Sequence, residues 1–261
     1  MRNDIALHTA SFVARETGYA MHGWGHGDRT TNDAFAPIDT FAARFESLLG
    51  HIHGLGFDAI DIWGAHLSPA WATDEHIDTA CAVLERRAMR VATYAAWIDA
   101  ANVRRSCEVA VALDASIVGA GFAGDAQPIA LAFQEHGLRL AVENHPERTP
   151  AELLEKIARG RGAFGATVDS GWWATQGYDA ARAIEELGPH VLHVHLKDVL
   201  AEREPHETCR FGGGIVDVRE CVRALERIGY DGAISIEHEP ERFDPSDDLR
   251  AMRADLEEWL A

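Results

Sequence analysis

Residues 138–169 read LRLAVENHPERTPAELLEKIARGRGAFGATVD and contain one complete strand–helix–strand unit. The apolar runs Leu138–Glu143 and Gly165–Asp169 each end on a carboxylate. Between them, Thr149 can cap a helix, and Pro150 suits the first helical position. Two short apolar runs joined by a helix predict neighbouring parallel strands of one sheet.

The same unit recurs along the whole chain as short β-rich runs that alternate with helical patterns, and we count eight such runs. They are Asp4–Thr9, Ala59–Trp63, Arg90–Ala95, Ala115–Ala120, Leu138–Glu143, Gly165–Asp169, Val191–Leu196 and Ala233–Glu237. Eight parallel strands close a barrel, and the 261 residues match the roughly 250 of a typical (β/α)8 protein. The sequence therefore predicts an α/β fold, a single TIM barrel that spans residues 1–261 as one domain.

The connection after the first strand, residues 11–39, is too long and too rich in glycine for an ordinary loop. It leaves the barrel at the carboxyl ends of the strands, where TIM barrels place their chemistry. We interpret residues 11–39 as a loop, either a lid that carries His22, Trp24 and His26 or a mobile insertion.

Charge narrows the class of ligand. The chain has 24 Lys+Arg against 42 Asp+Glu, a formal net charge of -18, and no basic cluster longer than a pair. A polyanion would be repelled, so we expect no nucleic-acid partner and favour a small, neutral, polyhydroxylated substrate. The sequence shows no apolar run long enough to span a membrane and no signal peptide, so we expect a cytoplasmic protein without a membrane partner.

Polar residues end four of the runs at equivalent positions: Glu143, Asp169, His195 and Glu237. Strand side chains alternate between two faces, and taking these four as inward leaves mostly apolar residues facing the helices. Three carboxylates at one rim would repel each other strongly unless a cation neutralised them. We therefore expect one divalent metal ion bound by these four residues, Mn²⁺ before Mg²⁺, Co²⁺ or Zn²⁺.

The motifs around these residues resemble those of the xylose isomerase-like TIM barrels, a superfamily of sugar isomerases and epimerases that includes tagatose 3-epimerases, inosose dehydratase and endonuclease IV. The resemblance is strongest over residues 138–240. It is carried by AVENHP, TVDSGWW, HVHLKDV, RFGGGIVDV and GYDGAISIEHEP, and more weakly by AIDIWGAH in the first half. It implies a metal at the four strand ends, with Glu143 and Glu237 as the catalytic proton-transfer groups.

Four further residues are expected to contact the substrate: His66, His145, Trp172 and Lys197. His145 follows Glu143 by two residues, and Lys197 is inward if its strand continues. Trp172 stands where the tagatose-type epimerases have a substrate-binding histidine, so stacking replaces a hydrogen bond there and the substrate need not be a free ketohexose. His193 is expected to orient a metal ligand from the layer below.

These residues predict a metal-dependent isomerase or epimerase that acts on a ketose, 3-keto sugar or keto-inositol through an enediolate. The nearest alternative is a lyase on the same site, of the dehydratase or 3-keto-glycoside-eliminating type. A DNA-repair endonuclease is disfavoured by the charge, and a non-catalytic sugar-binding protein would bind without C–H exchange. Because members of the superfamily are often dimers or tetramers, we also expect a homo-oligomer.

Overall fold

The computed structural model describes residues 3–261 and contains a closed barrel of eight parallel strands. We number the barrel strands β1 to β8. Their bounds are β1 Ile5–His8, β2 Ala59–Trp63, β3 Arg90–Ala95, β4 Ile117–Ala120, β5 Arg139–Glu143, β6 Phe164–Asp169, β7 Val191–Leu196 and β8 Ile234–Ile236. Each strand pairs with its neighbours in chain order, and β8 pairs with β1. The predicted (β/α)8 barrel is confirmed, with strand ends shifted by one or two residues.

Ten α-helices accompany the strands among the described residues. They are α1 Trp24–Phe35, α2 Ile38–Gly54, α3 Asp74–Arg87, α4 Val103–Ala112, α5 Ala126–Glu135, α6 Pro150–Ala158, α7 Ser170–Thr175, α8 Ala180–Leu187, α9 Val218–Arg227 and α10 Ser246–Leu260. The α6 start is as expected: Thr149 Oγ1 accepts from the Glu152 amide, and Pro150 is the first helical residue. In residues 3–261, no helix combines the length and apolar character needed to cross a bilayer.

The strands have two chemically different faces. Between sheet and helices, fully buried aliphatic residues such as Leu140, Val142, Val194 and Ile236 form the main core. Inside the barrel the side chains are small or polar, which the alternation of strand faces explains.

The strand register sets the height of the site. Asp169 of β6 pairs with His195 of β7, and His195 also pairs with Ser235 of β8. Glu143 pairs with Thr167, and Glu237 immediately follows β8. All four predicted ligands therefore lie at the carboxyl ends of neighbouring strands, the face at which TIM barrels bind substrates.

The prediction of a loop at residues 11–39 is wrong, because most of this segment is helical. A 3-10 helix covers Thr9–Thr17, α1 follows, and α2 begins at Ile38. The glycine that suggested flexibility serves packing instead: a Cβ on Gly27 would lie 2.2 Å from the Met21 sulfur and 2.7 Å from a Val13 methyl. The segment is thus a packed helical cover over one side of the barrel mouth, and whether it moves as a lid stays a prediction.

Candidate active site

A pocket of about 320 Å³ opens at the carboxyl ends of the strands. Its walls combine acidic, basic and indole side chains with two alanines. The acidic residues are Asp28, Glu143, Glu237 and Glu239; the basic ones are His8, His145, Lys197 and His206; the indoles are Trp24, Trp63 and Trp172. Such a lining offers flat apolar surfaces together with hydrogen-bonding groups, a combination suited to a sugar.

His195 lies at the centre of this polar set. Its Nδ1 atom is 2.7 Å from Glu143 Oε1 and 3.3 Å from Glu237 Oε2. Nδ1 of His8 lies 3.8 Å from the other oxygen of Glu237 and accepts a hydrogen bond from the Ala10 amide. Because one imidazole nitrogen faces both glutamates, the two carboxylates converge on a single small volume.

Lys197 occupies the space between Asp169 and Glu237. Its Nζ is 3.1 Å from Asp169 Oδ2, 3.0 Å from Glu237 Oε2 and 2.8 Å from Glu239 Oε2. Asp169 Oδ2 is also 3.1 Å from His145 Nε2, and its Oδ1 accepts from the Trp172 amide at the start of α7. Asp169 therefore already has partners for both oxygens.

Two buried polar side chains fix the strand ends that carry these groups. Asn144 donates to the Asp169 carbonyl and accepts from the Asp169 amide at 2.7 Å, which ties β5 to β6. The Ser170 hydroxyl donates to the Lys197 carbonyl and accepts from the Lys197 amide, both at 2.8 Å, which ties β6 to β7. The polar constellation is thus held by main-chain contacts on rigid strand ends rather than by mobile loops.

The electrostatics follow from this pairing. Burial opposes ionisation of Glu143, but the positive charges of His145 and His195 outweigh it and lower the pKa of that carboxyl. Burial likewise opposes ionisation of Glu237, and Lys197 and His195 outweigh it and lower its pKa. For His195, burial disfavours protonation, yet Glu237 and Glu143 together raise its pKa well above the usual range. Both carboxylates are therefore ionised at neutral pH.

A divalent cation fits part of the predicted ligand set. Donor atoms of Glu143, His195 and Glu237 all lie within 4.8 Å of one another. Glu237 Oε2 is buried and lies within ion-pair distance of Lys197. Among residues 3–261, however, no donor is aligned with this oxygen for a hydrogen bond. Two carboxylates and one imidazole are a donor set that Mn²⁺ or Mg²⁺ accepts.

Asp169 departs from the predicted four-ligand arrangement. It groups with Glu143 and His145 instead of with His195 and Glu237, and Lys197 lies between it and Glu237. The structure therefore brings Glu143, His195 and Glu237 together as one potential metal group and leaves Asp169 beside it, bound to a lysine.

Three of the four predicted substrate residues line the pocket. His145 and Trp172 are neighbours with ring centroids 4.3 Å apart, and Lys197 lies deeper. His66 does not line the pocket, so its assignment as a substrate contact is corrected. Its side chain is 1% exposed and packs edge-to-face on Phe35, with ring centroids 5.0 Å apart.

Sequence reasoning missed four residues at or below the pocket. Asp61 of β2 is fully buried and joins His193 to His195, with Oδ2 2.8 Å from one Nε2 and 3.4 Å from the other. Its signal was a lone carboxylate in the apolar run AIDIW, because a buried charge needs a partner. Asp28 lies on α1, in the segment for which the sequence predicts a loop. His206 and Glu239 lie beyond strand ends, where no periodicity indicates side-chain direction.

The glycine run 212–214 is a close backbone approach. Asp198 Oδ2 accepts from the amides of Gly212 and Gly214, each at 3.0 Å, and a Cβ on Gly214 would lie 2.2 Å from the Val199 carbonyl oxygen. These amides serve an internal carboxylate and do not form a phosphate cradle.

The chain belongs to the xylose isomerase-like TIM barrel family, whose model matches residues 49–260. An uncharacterized protein of Methanocaldococcus jannaschii is 31% identical over 114 residues, a match that covers 40% of this chain. The chain spans 38% of the length of that relative.

Solved structures share the fold at low identity. A xylose isomerase-like protein from Mycobacterium smegmatis in complex with magnesium is 18% identical, with a TM-score of 0.71 over 100% of this chain and 98% of that one. A probable 3-DHS dehydratase from Bacillus anthracis is 15% identical, with a TM-score of 0.71 over 97% and 98%. D-allulose 3-epimerase from Methylomonas sp., in complex with D-allulose, is 15% identical, with a TM-score of 0.70 over 98% and 96%.

Proposed function

We propose that the protein is a divalent metal-dependent isomerase or epimerase of a keto sugar or keto-inositol. The observation that carries the proposal is the convergence of Glu143 and Glu237 on Nδ1 of His195, from which their carboxylate oxygens lie 2.7 and 3.3 Å away. Both glutamates line a pocket whose walls include three indoles. A pair of carboxylates that flank one small volume is what removal and return of a proton at adjacent positions requires.

The metal would be held by Glu143, His195 and Glu237. When bound, it would draw electron density from a carbonyl and a neighbouring hydroxyl of the substrate and so acidify the C–H bond between them. One glutamate removes that proton, and the other takes a proton from solvent and supplies it to the opposite face or to the adjacent carbon. His145 donates a hydrogen bond to a sugar oxygen, and Trp172 packs against the ring. Lys197, whose ammonium already faces three carboxylates, holds them in place.

A lyase is the second candidate, and the histidines at the pocket favour it. His145 and His206 provide proton donors in addition to the two glutamates. Elimination needs one group to remove the C–H proton and a second to protonate the leaving group as it departs with the electron pair, and either histidine supplies that second group. The probable dehydratase from Bacillus anthracis shows that the fold is compatible with such an assignment.

The test is C–H exchange in D₂O. The Mn²⁺-loaded protein is incubated with ketoses, 3-keto sugars and keto-inositols, and NMR follows loss of C–H signal and new products. An isomerase or epimerase gives deuterium at one carbon and an isomeric product, whereas a lyase gives water or an alcohol and an unsaturated ketone.

Glu237→Gln should abolish exchange and preserve the fold, because the amide keeps the shape of the side chain and loses its basicity. The matched control is Glu155→Gln on the exposed face of α6, which should exchange like the wild type. Unchanged turnover in Glu237→Gln would overturn the assignment.

A further inference from the structure

We propose that a groove beside the pocket is a second subsite, which binds an uncharged apolar ring attached to the sugar, so that the substrate is a glycoside or the keto derivative of one. This rests on the proposed function for the sugar half of the molecule. We call it the outer groove: its volume is about 360 Å³, and its walls include Leu200, Pro205, His206, Pro240 and Phe243.

The outer groove adjoins the pocket. Trp24, His206 and Glu239 line both spaces, so the two meet at these three side chains. The pocket has about 320 Å³, at the lower end of the range for ligand-binding cavities, and the outer groove adds a space of similar size. A ligand whose reacting ring lies over the glutamates therefore has the outer groove next to it for a second ring.

The walls of the outer groove are fixed by hydrogen bonds. Asp198–Val199 and Thr208–Cys209 form a two-stranded antiparallel ribbon, and the Leu200 amide donates to the Glu207 carbonyl at 2.9 Å. The Thr208 hydroxyl accepts from the Glu239 amide at 3.0 Å, which joins this ribbon to the segment after β8. A groove held open in this way is pre-formed, which reduces the entropic cost of binding.

The exposed surface of the outer groove includes large apolar side chains beside its polar ones. Leu200 is 47% exposed and Phe243 is 48% exposed. Among residues 3–261, only six large hydrophobic side chains are this exposed to solvent. Two prolines and the Trp24 indole extend this surface. A flat apolar ring seated there would remove these groups from water, the main source of affinity in small-ligand sites.

Charge excludes an anionic occupant. The outer groove carries Glu207, Glu239 and Glu241 against the single guanidinium of Arg242. In the pocket, Lys197 is already paired with three carboxylates. A phosphate or carboxylate on the outer ring would meet net negative charge in the groove without a free lysine to receive it, so we assign an uncharged outer ring.

The experiment measures binding without turnover. Calorimetry with the Mn²⁺-loaded full chain compares matched methyl and phenyl glycosides of glucose, galactose and mannose, together with 4-carboxyphenyl glucoside as the anionic probe. We expect the phenyl member of at least one pair to bind roughly tenfold tighter than the methyl member. We expect 4-carboxyphenyl glucoside to bind more weakly than phenyl glucoside, and equal binding would overturn the assignment of an uncharged ring.

Leu200→Ala and Phe243→Ala should each reduce the phenyl advantage and leave methyl glycoside binding unchanged. The control is Leu131→Ala on α5, a leucine that is 53% exposed and lies outside both spaces. The subsite is overturned if no phenyl glycoside binds more tightly than its methyl partner, or if the advantage survives in both groove variants.

The two proposals fail differently. Tight, Leu200-dependent binding of a phenyl glycoside without C–H exchange on any substrate would support the subsite and overturn the proposed chemistry. Exchange on free ketoses, with equal binding of methyl and phenyl glycosides, would overturn the subsite and leave the chemistry standing.

Discussion

Asp61 and His193 form a fully buried hydrogen-bonded pair inside the barrel, with 2.8 Å between Oδ2 and Nε2. The same oxygen lies 3.4 Å from Nε2 of His195, at ion-pair distance but not aligned for a hydrogen bond, and the other ring nitrogen of His195 faces Glu143. Asp61 therefore places a negative charge against the imidazole at the centre of the site from the layer below it. Carboxylates in this position are known to orient metal-ligating histidines and raise their basicity.

Asp61→Asn should weaken Mn²⁺ binding by about 10- to 100-fold, because the amide has no negative charge to hold the His195 ring in place. Calorimetric titration with Mn²⁺ measures the affinity, and near-UV circular dichroism checks the fold. Asp33→Asn, at an exposed position of α1, is the control. Wild-type affinity in a folded Asp61→Asn protein would mean that Asp61 only fills the barrel interior.

Lys197→Met should lower the free energy of unfolding of the metal-free protein by about 3–5 kcal/mol, because three buried carboxylates lose their shared cation. Urea unfolding in EDTA measures the loss. Mn²⁺ should recover more stability in the variant than it adds to the wild type, since it replaces the missing positive charge. Lys156→Met is the comparison: it pairs with Glu147 at 2.7 Å, so its loss should be smaller. Equal losses would contradict the bridging role of Lys197.

His66→Leu should reduce the fall in the free energy of unfolding between pH 7 and pH 5, without changing substrate affinity. Burial lowers the pKa of His66 to about 3. When the pH falls below the ordinary histidine pKa, near 6.5, His66 therefore takes up a proton in the unfolded chain but not in the folded chain. Wild-type stability therefore falls as pH drops below about 6.5, and at pH 5 His66 accounts for about 2 kcal/mol of that loss.

Urea unfolding at pH 7 and pH 5 compares His66→Leu with His53→Leu, whose side chain is 48% exposed. His53→Leu should keep the wild-type slope. A raised KM in His66→Leu, with an unchanged pH profile, would restore His66 as a substrate contact.

The barrel could be predicted because each strand is a local apolar run, so the signal lies within a few residues of sequence. The helical segment at residues 11–39 could not, because the role of Gly27 depends on Met21 and Val13, which reach it only after folding. A glycine chosen for close packing looks in sequence like a glycine chosen for flexibility.

The same limit applies to the site. Glu143, His195 and Glu237 were placed by strand alternation, which fixes side-chain direction. Lys197 was placed inward by the same rule, but its position between Asp169 and Glu237 depends on the reach of a flexible side chain across the barrel mouth. His66 follows the turn after β2, where alternation no longer applies, and its ring turns into the core.

Metal binding should release a proton and strengthen as pH rises. Burial opposes protonation of His195, but Glu237 and Glu143 raise its pKa well above the usual range, so the metal-free protein holds that proton at neutral pH. The ion pairs of protonated His195 with Glu143 and Glu237 stabilise the metal-free fold in full at pH values below the pKa of histidine in the unfolded chain, near 6.5. This stabilisation is lost as the pH rises through the raised pKa of the folded state. A metal ligand must be a neutral imidazole, so Mn²⁺ has to displace the proton.

Mn²⁺ affinity should therefore increase by up to about tenfold per pH unit below the raised pKa of His195. Calorimetry in buffers of different ionisation enthalpy counts the protons released at pH 6, 7 and 8. His195→Gln should bind Mn²⁺ more weakly and release fewer protons, because the glutamine side chain has no proton to lose. His53→Gln, with its exposed side chain, should release as many as the wild type. If the Mn²⁺ affinity of the wild type is constant from pH 6 to pH 8, the metal does not displace a proton from His195. Glu143 and Glu237 would then bind the ion without His195.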